Sequence, residues 1–170
     1  MDDIAICDAN ILIDFLSVLD GKDAIRAMTV FFKHVYVPET VLKEVREPYL
    51  SETEAEELGL DIYKDIPLEL LVSDSGSKGL SGQDRACLYL VRANGWICIT
   101  NDKLLRANCK HVGGTVMWGL ELVFELVRNN LLSETFAKDL ADQVKRSNKT
   151  ISGVVLREFK EKIEGLIHKP

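Results

Sequence analysis

The stretch Leu80 to Arg106, LSGQDRACLYLVRANGWICITNDKLLR, constrains this chain more than any other. Ser81 is placed to cap a helix whose apolar positions Cys87, Leu88 and Val91, with Ala86 beside them, form one stripe, and Asn94-Gly95 supplies its stop. Trp96 to Thr100, WICIT, is a short β-rich run. A helix that crosses back before a parallel strand runs antiparallel to it, so its first turn returns to the edge where the strand ends. Asp84, in that first turn and in line with Leu88 and Val91, and Asp102, just past the strand, are therefore expected at one edge of a sheet. Open α/β sheets bind ligands at that edge. Each acid also has a plainer role. Ser81-x-x-Asp84 is a capping box, and Asp102 can cap a helix over Lys103 to Cys109.

The rest of the chain adds acids to the same edge. Ile4 to Cys7 reads as a strand ending at Asp8, and Asn10 to Leu19 as a helix with Ile11, Leu12, Phe15, Leu16 and Leu19 at helical spacing. Asp8 can cap that helix, and Asp14 lies one turn further on. A helix over about Asp23 to Lys33 leads to a second strand, His34 to Val37, and Pro38 opens a helix through Glu47 on which Glu44 shares the side of Val41. Ser51 to Leu58 reads as an acidic helix, Leu68 to Ser73 as a strand, and Asp74 to Gly79 as a loop. Val112 to Gly114 reads as a short strand, with Thr115 capping a helix that reaches Asn129. Ser133 to Lys145 and Ser152 to Ile167 are amphipathic helices.

Composition narrows the class. A chain of 170 residues, 46% of them hydrophobic and without a linker-like segment, suits one domain with a sizeable core. Its net charge of −6 excludes a globally basic surface, so any contact with nucleic acid has to be local. The start, MDDIAICDAN, has no basic leader, and no apolar run approaches the roughly 18 residues of a membrane span, so a cytoplasmic protein is expected. Asn148-Lys149-Thr150 is then a chance sequon. Cys7, Cys87, Cys98 and Cys109 lack C-x-x-C spacing and read as reduced core thiols. His34, His111 and His168 are scattered singly, which argues against zinc and against a Cys-His nucleophile. Gly113-Gly114-Thr115 lacks the frame of a phosphate loop.

Asp8, Glu44, Asp84 and Asp102 thus come from separate segments and are expected at or beyond the C-terminal edge of one parallel sheet. Carboxylates gathered closely repel and raise one another's pKa unless a cation neutralises them. Hard oxygen donors favour Mg²⁺ or Mn²⁺, and ions so held can support phosphodiester hydrolysis. Here the chain also resembles the PIN domain ribonucleases, which include the VapC-like toxins of toxin-antitoxin pairs. The resemblance covers about Ile4 to Leu132 and is carried by ICDANILIDF with Asp8, VPETVLKEV with Glu44, LSGQDRACLYLVRANG with Asp84, and ITNDKLLR with Asp102. It implies a three-layer α/β/α sandwich with a central parallel sheet over residues 1–132, with 133–170 as a C-terminal helical extension packed on the same domain. It further implies a metal-dependent endoribonuclease with all four acids at catalytic positions, and Asp8, Asp84 and Asp102 holding Mg²⁺ or Mn²⁺. RNA as substrate, self-association as a dimer, and a small antitoxin whose basic residue enters the acidic site follow from the same resemblance.

Two positions depart from the family pattern. Ala9 stands where Ser or Thr often follows the first Asp, and Asn101 where a further Asp often precedes the last acid. Asn10, Thr100 and Asn101 can still hydrogen-bond carboxylates or metal-bound water as supporting residues, which leaves one ion or two open. Arg85 and Lys103, with Lys78 and Arg106, lie near the expected edge as phosphate contacts or as ordinary surface charge. A haloacid-dehalogenase-type phosphatase would need a second acid where Asn10 stands, and a receiver domain would need a phosphorylatable Asp in a middle strand. The alternative from another class is a non-catalytic PIN-like interaction module whose acids are caps.

Overall fold

The computed structural model describes residues 3–72 and 79–167. Its centre is a five-stranded, all-parallel sheet in the order β3-β2-β1-β4-β5, built from β1 (Ile4–Cys7), β2 (His34–Pro38), β3 (Asp61–Tyr63), β4 (Ile97–Ile99) and β5 (Val116–Met117). β1 lies in the middle, with Ile6 opposite Tyr36 of β2 on one side and Cys98 of β4 on the other. A strand covered on both faces needs apolar residues throughout, and Ala5, Ile6 and Cys7 are fully buried.

Helices α1 (Ala9–Leu16), α2 (Gly21–Phe31), α8 (Gly119–Arg128), α9 (Glu134–Ser147) and α10 (Gly153–Ile167) pack against one another in one layer. On the other side, α6 (Gly82–Asn94) crosses β1, β2 and β4 and packs against α3 (Glu39–Leu42), α5 (Leu68–Val72) and α7 (Lys103–His111). The short α4 (Glu52–Glu57) sits by β3. This is the expected three-layer α/β/α arrangement. α6 has the predicted ends: Ser81 caps it and Gly95 closes it at φ 70°, a conformation that favours glycine, but its core stripe is Ala86, Cys87, Leu90 and Val91, with Leu90 buried where Leu88 was expected and Leu88 half-buried. The last two helices pack on α8, and α9 also meets α1.

Several elements differ from the sequence reading. Leu68 to Ser73 is not a strand: Leu68–Val72 forms α5, started by Pro67, whose carbonyl accepts from Leu70 N, while Ser73 lies outside the described residues. The strand of that region is β3, three half-buried residues of mixed polarity at the sheet edge, where no alternation marks them. The helix from Pro38 stops at Leu42 because the chain turns back through an Arg46–Tyr49 bridge around Pro48, although Val41 and Val45 keep their buried stripe. Val112 to Gly114 is the turn that ends α7, and Thr115 caps nothing: its carbonyl already accepts from Cys98 N alongside β5. α8 starts at Gly119 instead, with the Glu121 carboxylate accepting from Trp118 N. All four cysteines are buried and unpaired by disulfides.

Candidate active site

Strand order reverses at β1, so the gap between the C-terminal ends of β1 and β4 is the switch point where open sheets offer a crevice. Asp8 stands there. Its backbone N–H donates to Ile99 O at 3.1 Å, tying the end of β1 to β4. One carboxylate oxygen, Oδ1, accepts from Ala9 N at 2.8 Å as the cap of α1. The other, Oδ2, accepts from Thr100 Oγ1 at 2.6 Å and from Asn10 Nδ2 at 2.5 Å. The residue is only 3% exposed. Burial raises its pKa from 3.8 to about 6 despite the Thr100 bond, and the charges of Asp84 and Glu44 push it further in the same direction.

Asp84 reaches this edge from the first turn of α6, as the antiparallel crossing requires, and it also makes the capping box: its Oδ2 accepts from Ser81 N and Ser81 Oγ, both at 2.9 Å. Asp102 caps α7 through Oδ1, which accepts from Leu105 N at 2.6 Å, while its own N–H donates to Thr100 Oγ1 at 3.0 Å. Glu44 is an exposed residue of the turn after α3, and its pKa is raised by partial burial and by Asp84. The capping roles and the convergence are therefore both present. Asp8, Glu44 and Asp84 interact electrostatically, and the Thr100 hydroxyl links Asp8 to the segment carrying Asp102.

The donors match a hard divalent cation in kind, since all are carboxylate oxygens, although the charge of Arg46 acts on Glu44 and that of Arg106 on Asp102. They do not form a finished cage. Among the described residues no three His, Cys, Asp or Glu side chains are grouped to hold an ion. The capping bonds use one oxygen each of Asp84 and Asp102, leaving Asp84 Oδ1 and Asp102 Oδ2 outside those bonds.

Around the acids lies an amide network. Asn10 Oδ1 accepts from Asn101 N at 3.0 Å, and Asn101 Oδ1 accepts from Gly119 N at 3.0 Å. Gly119 passes close, since an added Cβ would lie 3.2 Å from the Asn101 side chain and from Ile11. Asn101 Nδ2 and Asn148 Nδ2 donate to Asp14 Oδ2 at 2.9 and 2.8 Å. Asn148 brings the α9–α10 connection against the site, a link no local pattern could reveal because its partner lies on the far side of the chain. Arg106 donates to Asn101 O at 2.6 Å and stacks over Trp118 at 4.0 Å from the ring centroid. Trp118 also escaped the sequence reading, being an isolated aromatic between two short elements.

The two basic residues expected to meet substrate behave differently. Arg85 is drawn inward, where its guanidinium donates to the carbonyls of Leu70, Leu71 and Leu80 at 2.7–2.8 Å and pins α5 to α6. It is thereby turned away from a phosphate-contact role. Lys103 is exposed on the rim of a cleft of about 540 Å³ that Asn10, Asp102, Arg106 and Trp118 also line. Lys78 lies outside the described residues. No helix among the described residues is long and apolar enough to cross a membrane. In comparison with known proteins, no family model matches the chain and no curated protein matches it.

Proposed function

We propose that this protein is a PIN-like, Mg²⁺- or Mn²⁺-dependent endoribonuclease that hydrolyses RNA phosphodiester bonds at the β1–β4 switch point. The observation carrying this reading is Asp8: a buried carboxylate raised to about 6 by burial and by the neighbouring charges of Asp84 and Glu44. A carboxylate buried at a sheet's C-terminal edge with two further acids acting on it is costly as mere structure, and a bound cation would relieve that cost. Asp8, Asp84 and Asp102 would hold the ion and Glu44 would stand beside it. When bound, the ion would supply charge neutralisation for the phosphate and an acidified water. Thr100 and Asn10 orient Asp8, and Asn10 Oδ1, accepting from Asn101 N, holds the backbone that presents Asp102. Self-association and an antitoxin whose basic residue neutralises the acids belong to the same proposal, as does a cytoplasmic setting.

The test is cleavage of a mixed RNA pool with mapped ends, with and without Mn²⁺, for the wild type and for Asp8→Asn. Metal-dependent cleavage lost in the variant is the expected result. A second reading draws on the capping bonds of Asp84 and Asp102, which make both acids useful to the fold alone. A non-catalytic interaction module of that kind would bind Mn²⁺ no better than its Asp8→Asn form and would leave the RNA intact.

A further inference from the structure

We propose that the cleft beside the carboxylate edge is a stacking site for a base of single-stranded RNA, with Trp118 as platform and Lys103 and Arg106 as phosphate contacts. The choice of substrate rests on the nuclease reading; the geometry does not. Trp118, just before α8, is 41% exposed on the lining of this cleft, where its indole presents an aromatic surface beside two cations. It is also held in place. Arg106 lies 4.0 Å over the ring while donating to Asn101 O at 2.6 Å, so the platform is fixed to the segment that carries Asp102. The cleft's volume of about 540 Å³ is in the range of small-molecule sites, and Leu120, Ile151 and Val155 give it an apolar floor.

Charge limits where a polyanion can lie. This cleft carries Lys103 and Arg106 against Asp102. The adjoining cavity shares Trp118 but is balanced in charge, since Glu121, Glu125 and Glu158 are met by Lys110, Lys162 and the Arg128 partner of Glu125, so it offers a phosphate chain no net attraction. The phosphates are therefore placed by Lys103 and Arg106. The polar lining also predicts how the base is read. Asn10, Asn101 and Asn148 each have both side-chain oxygen and nitrogen bonded within the protein. With these amides engaged, stacking dominates over recognition of base edges, and binding is tolerant of sequence.

Trp96→Phe makes Trp118 the sole tryptophan and a direct reporter. In EDTA, which prevents cleavage, a mixed-sequence RNA hexamer should quench its fluorescence saturably, and an abasic ribose-phosphate hexamer should bind about tenfold more weakly without quenching. Anisotropy of labelled RNA should show a similar, roughly tenfold loss for Trp118→Leu, with most of the affinity recovered in Trp118→Phe. RNA binding without quenching, equal binding of the abasic strand, or unchanged affinity in Trp118→Leu would each overturn the site. So would quenching by an apolar peptide but not by RNA, which would make the cleft a protein-docking surface. The two proposals separate cleanly. Quenching without metal-dependent cleavage by the wild type defeats the nuclease reading alone, whereas cleavage without quenching defeats the stacking site alone.

Discussion

Asp8 and Asp14 are two buried carboxylates on the same β1–α1 segment, 3% and 7% exposed, and burial raises the pKa of both. Their surroundings differ. Asp14 faces the amides of Asn148 and Asn101, whose hydrogen bonds lower its pKa, and no other carboxylate contributes to its shift. Asp8 also has hydrogen-bond donors, yet Asp84 and Glu44 act on it from across the edge. A buried carboxylate matched by amides ties elements together. One that repels its neighbours lowers stability where it stands, as groups arranged for a ligand do.

The largest way to test this contrast is activity. Asp8→Asn and Asp102→Asn should each reduce metal-dependent cleavage by at least about 100-fold while preserving the fold, since removing a mere hydrogen-bond partner of a metal ligand costs about 10–100-fold. Full cleavage in either variant removes that residue from the site. Mn²⁺ should raise the melting temperature of the wild type, and of Asp8→Asn less; at a hundred times its Kd the ion would add about 2.7 kcal/mol.

pH sharpens the same comparison. The folded pKa of Asp8 lies above its unfolded value of 3.8, at about 6. Its stabilising protonated form is therefore fully present below pH 3.8, and roughly 3 kcal/mol is lost as pH rises through about 6. Asp14 contributes in the same direction. Denaturant melts between about pH 4 and 8 should show stability falling, and Asp8→Asn should flatten that fall; an unchanged slope would mean that Asp8 carries no such burden. Asp14→Ala should behave oppositely, losing about 1–3 kcal/mol because it leaves the Asn101 and Asn148 amides unpaired. Equal losses with and without Mn²⁺ would mark it as structural. The smallest effects belong to the caps. Asp102→Ala and Asp84→Ala in the metal-free protein should cost about 0.5–2 kcal/mol through lost helix capping. A gain in stability for either would show that repulsion outweighs the cap.

Local pattern made much of this legible. β1, the crossing of α6 into β4 and the stop at Gly95 follow from hydrophobic periodicity, Ser81 and the Asn-Gly pair, all of which act within a few residues. The three-residue β3 and the five-residue α5 were not legible, because neither is long enough to display a period. Arg85 read as a cation free for phosphate, since nothing nearby announces that Leu70 and Leu71 will present their carbonyls to it.

That Asp8, Asp84 and Asp102 come to the sheet's C-terminal edge could be read from chain direction alone, since two of them follow a parallel strand and the third lies in the first turn of the helix before one; Glu44, in the turn after α3, could not. What surrounds each acid depends on packing between distant segments. Asp8 and Asp14 sit on one short segment, yet Thr100 bonds to the first and the charge of Asp84 acts on it, while Asn101 and Asn148 bond to the second. Those partners are brought in by the packing of β4, α6 and the α9–α10 connection, and the energy of a buried charge depends on what lies within a few ångströms of it, whatever the distance along the chain.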